Sequence, residues 1–220
     1  MLGSLLPSSV VTAEAFADDE AEGSFPGEED LVATAAPGRR REFVTARRCA
    51  REALAGLGHP PVAIRPGPRR EPVWPAGLAG SITHCAGYRA AAVTRTEEVA
   101  SVGIDAEPHA PLPPRVLGAV TAPGDAEHLA RLSRAEPAVH WDRLLFSAKE
   151  AVYKAWYPLT RRWLGFDEAN LTVDPAAGAF TARLRVDGAR IDGGPPLTAL
   201  HGRYLVERGL VVTAVWVPCR

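Results

Sequence analysis

Ser101-Val102-Gly103-Ile104-Asp105-Ala106-Glu107-Pro108 marks where a set of strands ends and a helical region begins. The apolar run Ser-Val-Gly-Ile predicts a strand, and the proline after Glu107 stops it. Residues two apart on a strand point to the same side, so Asp105 and Glu107 would present two carboxylates together. Oxygen ligands of that kind suit a hard cation such as Mg²⁺. A D-x-E pair is also the ordinary pattern of a wet strand face, so this motif alone does not establish a metal site.

Downstream, a helical pattern runs from about His140 to Tyr157 and is expected to end at Pro158. Trp141, Leu144, Leu145, Ala148, Val152, Ala155 and Trp156 supply its buried stripe. Within it lies Lys149-Glu150-Ala151-Val152-Tyr153-Lys154. Glu150 and Lys154 are four apart and share a face, while Lys149 sits about 100° round. An i,i+4 surface ion pair accounts for such a motif in most chains and is worth about 0.2–0.5 kcal/mol. Composition adds a second fact. Of 25 basic residues only Lys149 and Lys154 are lysines, and a compact ammonium is not interchangeable with a guanidinium. A carboxylate beside two ammonium groups is a sensible place for a phosphate and its metal.

Upstream, Ser-Ile-Thr-His-Cys (81–85), Tyr-Arg-Ala-Ala-Ala-Val-Thr-Arg (88–95) and the stretch from Val99 read as strands, with a turn at Thr96 to Glu98. Ser81 and Thr83 share one face; His84 lies on the other or in the turn, as a hydrogen-bonded structural residue or as a ligand. Cys85 beside His84 does not make a nucleophile–base pair, because neighbours on a strand point opposite ways. Before these strands comes a Pro- and Gly-rich connection, 59–80. Before that, Phe43, Ala46, Ala50, Ala53, Leu54 and Leu57 recur at helical spacing from Arg39 to about Leu57, with Pro37-Gly38 as the entry. Arg40, Arg47 and Arg51 form a basic second face on this helix.

Residues 1–38 hold eight acids and no basic residue. Ser9 to Phe16 is a candidate strand, and Asp18 to Asp30 is expected to be a solvated loop or flexible arm. Pro108 to Pro114, with four prolines in seven residues, is the candidate linker between two halves, 1–108 and 109–220. The second half opens with loose, polar sequence. After its helix come strands: 179–188 alternates with Phe180, Ala182 and Leu184 on one face, and 203–217 reads as two strands about a turn at Glu207-Arg208-Gly209. The whole is an α+β pattern.

At 220 residues the chain buries a real core, and its net charge of -1 argues against nucleic-acid or membrane binding through excess charge. The basic helix has no zinc finger, aromatic RNA-binding signature or helix-turn-helix cue beside it. Cys49, Cys85 and Cys219 are odd in number and far apart, which predicts neither a disulfide framework nor a zinc site and points to the reducing cytoplasm. No stretch has the length of a transmembrane helix, and the apolar start lacks a positive n-region. The phosphate-loop patterns G-x-x-x-x-G-K-[ST] and G-x-G-x-x-G are missing, as is G-x-S-x-G.

In order and spacing, RRREFVTARRCAREAL, REPVWPAGLAGSITHCAGYRAA, SVGIDAEPH and HWDRLLFSAKEAVYKAWYPLTRRWLGF together resemble the 4′-phosphopantetheinyl transferases of the surfactin-synthetase-activating type. Within these, the nearest look is that of the actinobacterial and enterobactin-synthetase-associated branch. The matching stretches cover most of 39–166, and LHGRYLVERGLVVTAV near the end fits as well. The resemblance implies a fold of two similar pseudo-symmetric α+β halves with the active site in the cleft between them. It implies a Mg²⁺-dependent transfer of the phosphopantetheine arm of coenzyme A (CoA) to a serine of an apo acyl or peptidyl carrier protein of a fatty-acid, polyketide or nonribosomal peptide synthetase, releasing 3′,5′-ADP. By the same match, Asp105, Glu107 and Glu150 would hold Mg²⁺, and Glu150 would be the base for the serine. Lys149 and Lys154 would face the pyrophosphate, with Lys154 also catalytic, and Ala106 would lie against CoA. Thr83 and His84 would contact a CoA phosphate, and Arg39 and Arg47 would grip the 3′-phosphate end. A monomer is the expectation by analogy.

Two departures stand out. Phe146 occupies a position where relatives often have Trp, and Arg65-Pro66-Gly67-Pro68-Arg69-Arg70 replaces a connection that often carries a lysine, leaving open which residue there meets CoA. Two other readings compete: a metal-dependent phosphohydrolase or nucleotidyl transferase using the same carboxylates without a carrier, and a binding module whose basic helix docks an acidic partner.

Overall fold

Alternation of apolar and polar residues sets the strands, and two 3.6-period stripes set the long helices. The structure, a computed structural model, describes residues 1–219. Strand β1 (Val11–Ala15) precedes helix α1 (Pro37–Gly56), which starts on its proline, where the missing N–H costs nothing. Strands β2 (Leu78–Cys85), β3 (Tyr88–Arg95) and β4 (Val99–Pro108) follow. Then come α2 (Pro114–Val120), α3 (Asp125–Ala135) and α4 (Trp141–Thr160), and strands β5 (Ala169–Asp174), β6 (Ala179–Leu184), β7 (Ala199–Glu207) and β8 (Leu210–Pro218).

Two antiparallel sheets result, one ordered β1-β3-β2 and the other β4-β8-β7-β6-β5. β4 therefore shares its sheet with strands from beyond the proline-rich connection, pairing Asp105 with Thr213 and Glu107 with Val211. The three central alanines of β3, Ala90 to Ala92, allow close approach on both of its faces. Ala91 and Val93 pack with Cys49, Ala50, Ala53 and Leu54 of α1. Ala90 and Ala92 pack with Val102 and Ile104 of β4 and Val212 and Ala214 of β8. On the far face of the second sheet, Val211 and Val215 pack with the predicted α4 stripe, every member of which is buried. The order of layers is α1, first sheet, second sheet, α4.

Several expectations are corrected. α4 runs through Pro158 to Thr160, because a proline in the last turn removes one hydrogen bond while Tyr157 and Leu159 on either side stay buried. The sequence 114–135, read as loose, forms α2 and α3; α2 is seven residues opened by prolines, and α3 buries little beyond Leu129 and Leu132. The acidic arm is not a solvated loop. Asp18 pairs with Arg89 at 2.7 Å, Glu22 with Arg48 at 3.0 Å and Asp30 with Arg65 at 2.7 Å. Glu28 is fully buried, receiving Arg51 at 3.1 Å and the Ile64 N–H at 2.7 Å. The arm thus neutralises much of the basic face of α1. Nor does 108–114 hang free: Arg143 donates to the carbonyls of Ala110 and Pro111, and Asp142 accepts from the Leu112 N–H. Among the described residues no helix is long and apolar enough to cross a membrane.

Candidate functional site

The site begins at the free edge of β4. Its other edge is occupied by β8, so the N–H groups of Ile104 and Ala106 face β2 without a backbone ladder. Two β2 hydroxyls take them up: Ser81 Oγ accepts from Ile104 and Thr83 Oγ1 from Ala106, each at 3.1 Å. The i,i+2 spacing that puts Ser81 and Thr83 on one face of β2 thereby joins the two sheets. Thr83 then donates its own proton to Asp105 Oδ1 at 3.3 Å.

Gly103 brings β4 against α4. A Cβ there would collide with the Ala151 carbonyl and the backbone of Ala155. At that distance Lys154 Nζ reaches Asp105 Oδ1 at 2.7 Å and the Ile104 carbonyl at 3.1 Å. Asp105 is 5% exposed, and its second oxygen, Oδ2, is buried with no hydrogen-bond partner among the described residues. One turn before Lys154, burial raises the carboxyl of Glu150 above its ordinary range; Lys154 opposes this and Asp105 adds to it. Glu107 is also raised by burial and by Asp105, and Arg143 holds it at 2.9 Å, which lowers it. Arg143, Glu150 and Lys154 are 7 and 4 residues apart and form one face of α4; that spacing was the available signal for Arg143, which the sequence reading missed.

Lys149 does not join this group. Its ammonium is buried on another side of the helix, donating to Asp125 Oδ2 at 2.6 Å, Phe166 O at 2.7 Å and Val120 O at 2.8 Å. All three protons are used there, so the expectation that Lys149 faces a pyrophosphate is not met by this arrangement. The cause is the 100° step from Glu150. His84 sits at the end of β2, its Nε2 accepting from Arg39 at 2.8 Å and its Nδ1 3.7 Å from Glu42. Burial first, then Arg39, lowers the imidazole and keeps it neutral as an acceptor. Arg47 lies apart from these: it donates to Ile64 O at 3.0 Å and stacks 3.5 Å above the Phe43 ring. Burial lowers it to about 10, so it stays charged at neutral pH.

A cavity of about 760 Å³ lies beside this cluster. Glu150, Tyr153 and Lys154 of α4 form one wall, β2 and the connection before it form another, and Arg69, Arg70, Arg161 and Arg190 bring positive charge. Arg161 and Glu71 bridge it at 3.1 Å. A smaller cavity of about 90 Å³ shares Glu150 and Tyr153 with it and is lined also by Trp163, Leu164 and Phe166. Among the described residues no three His, Cys, Asp or Glu side chains gather as a ready metal cage. Chemically, the arrangement offers a raised carboxylate, an ammonium and an arginine-lined hollow: a base and cations beside room for a phosphorylated ligand.

The comparisons with known proteins agree with that chemistry. Residues 27–94 match the family model described as the 4′-phosphopantetheinyl transferase N-terminal domain, and residues 101–200 match that of the 4′-phosphopantetheinyl transferase superfamily. The chain is 54% identical to 4′-phosphopantetheinyl transferase Svp of Streptomyces mobaraensis over 99% of this chain and 89% of the relative. It is 49% identical to 4′-phosphopantetheinyl transferase PptT of Mycobacterium tuberculosis over 98% of this chain and 97% of the relative. Enterobactin synthase component D of Salmonella typhi is 33% identical over 65% of this chain and 58% of its own length.

Proposed function

This chain belongs to the 4′-phosphopantetheinyl transferase superfamily, and on that premise we propose how its residues carry out the reaction. The protein transfers 4′-phosphopantetheine from CoA to a serine of an apo carrier protein, leaving 3′,5′-ADP. The observation that carries the site is the Asp105–Lys154 contact, with Glu150 one turn away and the arginine-lined cavity alongside.

In this reading the active site is the cleft between two similar halves, one built on α1 and the other on α4. The serine oxygen attacks the pantetheine-bearing phosphorus, and the bond from that phosphorus to the bridging oxygen breaks. Glu150 takes the serine proton, and its raised carboxyl makes it a stronger base than an exposed glutamate. Lys154 supplies a fixed ammonium for the charge that grows on the diphosphate oxygens. Arg39, His84 and Arg47 hold the phosphates of the nucleotide end.

The residues present fit Mg²⁺. Asp105 Oδ2 is a buried, unpaired oxygen of the hard type the ion prefers, and Mg²⁺ is commonly held by one or two carboxylates together with substrate phosphates. Asp105, Glu150 and Glu107 would hold it, the last on leaving Arg143. When bound, the ion supplies positive charge to the diphosphate. The likeness to enterobactin synthase component D supports the surfactin-synthetase-activating type, and three free thiols fit the cytoplasm.

Incubation with CoA, Mg²⁺ and an apo carrier tests this directly by intact mass. Gain of one phosphopantetheine on the carrier is the expected result. Breakdown of CoA with the carrier unmodified would mean a phosphohydrolase instead.

A further inference from the structure

Glu28 is a fully buried carboxylate that the transfer chemistry does not use. It enters from the arm before α1 and meets two arginines one turn apart on that helix. Both of its oxygens accept from Arg51 Nη1, at 3.1 and 3.2 Å, while Arg47 Nε stands 4.0 Å from Oε1. Oε1 also accepts from the Ile64 N–H at 2.7 Å, and Arg47 Nε donates to the Ile64 carbonyl at 3.0 Å. Both polar groups of the Ile64 backbone are therefore held, one by Glu28 and one by Arg47. One residue on, Arg65 donates to the Gly27 carbonyl at 2.6 Å and to Asp30 at 2.7 Å, which closes the arm over the 59–80 connection.

A buried carboxylate of this kind adds little net stability, because desolvation offsets most of the attraction between the ions. What it fixes is geometry. Arg47 lies 3.5 Å above the Phe43 ring with its Nε turned to Ile64, and no hydrogen bond among the described residues uses either of its terminal nitrogens. A guanidinium held on one face and along its Nε edge keeps one fork free, and that fork matches two oxygens of a phosphate.

We propose that Glu28 is a positioning residue for CoA, fixing the free fork of Arg47 through the Ile64 backbone they share, at the place where the 3′-phosphate binds. This deepens the transferase reading and rests on it, including the place given there to Arg47. Glu28 itself touches no part of the ligand. Its charge and its hold on Arg47 act in opposite directions. A carboxylate near Arg47 disfavours a bound phosphate, whereas a fixed fork favours one. The hold prevails, because Arg51 lies closer to the carboxylate than Arg47 does and balances its charge, while a misaligned fork forfeits both hydrogen bonds.

Glu28→Gln keeps the shape and removes the charge. Calorimetric titration with CoA and with 3′-dephospho-CoA, on wild type, Glu28→Gln, Arg47→Met and the double variant, tests the assignment. Stoichiometry reports the folded fraction, so the affinities compare folded protein only. Glu28→Gln is expected to weaken CoA about tenfold, the scale of one charge-assisted contact, and 3′-dephospho-CoA by less than about twofold. Arg47→Met should show the same selective loss, and Glu28→Gln should add nothing to it in the double variant. In carrier loading, Glu28→Gln should raise KM for CoA and leave kcat within about twofold. Glu28→Gln combined with Arg51→Met leaves Arg51 no unpaired charge, and serves if the single variant does not fold. Failure of both to fold makes Glu28 a folding residue and overturns the proposal. So does unchanged or tighter CoA binding, an equal loss for both ligands, or losses that add in the double variant. Arg47→Met that binds CoA as wild type does removes Arg47 from the site as well. Wild type that neither binds CoA nor loads a carrier overturns the transferase reading itself.

Discussion

Asp105 on β4 and Lys154 on α4 meet at 2.7 Å, so the strand closing the first set of elements and the central helix of the second are tied at the carboxylate–ammonium contact. Only one Asp105 oxygen is spent on it; Thr83 shares that oxygen, and the other is unpaired. Asp105→Asn preserves the shape and Thr83's acceptor but removes the charge. The expected result is a transfer rate at least about 100-fold lower, the usual scale for losing a positioned electrostatic group, with the fold retained. Carrier loading and circular dichroism on the same preparation check both halves of the statement.

Lys149 makes the opposite prediction. Its ammonium and Asp125 are almost fully buried, so Lys149→Met leaves a carboxylate without its partner. A loss of about 3–5 kcal/mol in urea unfolding is expected. Lys154 is itself 27% exposed but its partner Asp105 is buried, so Lys154→Met should cost some stability, less than Lys149→Met, while abolishing most transfer. Equal stability losses for the two variants would contradict the separation of roles drawn here.

These two lysines also show what was readable from the chain. The α4 stripe from Trp141 to Trp156 followed from period alone, as did the alternation in β6, because both are local patterns. The 100° offset of Lys149 from Glu150 was equally plain. Its destination was not, since Asp125 lies 24 residues away in a helix too short and too weakly apolar to announce itself. The acidic arm was misread for the same reason. Its charges look solvated until the arginines of α1, the 59–80 connection and β3, distant in sequence, are placed against them. Asp105 and Glu107 could be put on one strand face, but the Arg143 contact that holds Glu107 comes from α4.

Glu150 governs the expected pH dependence. Its folded-state carboxyl is raised above 4.5, so it is still partly protonated where an exposed glutamate is ionised. Transfer should therefore fall as pH drops through that raised value, and the acid limb of the kcat/KM profile should lie above pH 4.5. Stability moves the other way: the group favours the folded state below the unfolded value, and that contribution is lost as pH rises through the folded one. Glu150→Gln should then be more stable than wild type at pH 7 and lose that advantage in acid, while being inactive. A Gln variant less stable at pH 7 would mean that Glu150 has a stabilising partner.

Gly103 sets the spacing on which all of this depends. A methyl group at 103 points into the α4 backbone between Ala151 and Ala155, where no side chain can move aside. Gly103→Ala must push β4 from α4, and with it Asp105 from Lys154. Overpacking of this kind costs about 1–3 kcal/mol, and a backbone obstacle puts the expectation at the upper end. Gly118 in α2 is the control, since nothing lies within 4 Å of a Cβ built there and helix propensity favours alanine by about 1 kcal/mol. Gly103→Ala should lower both the urea midpoint and the transfer rate, the rate by more than the folded fraction accounts for, while Gly118→Ala should lower neither. If Gly103→Ala proved as stable and as active as wild type, the close crossing of β4 over α4 would not be what aligns Asp105 with Lys154.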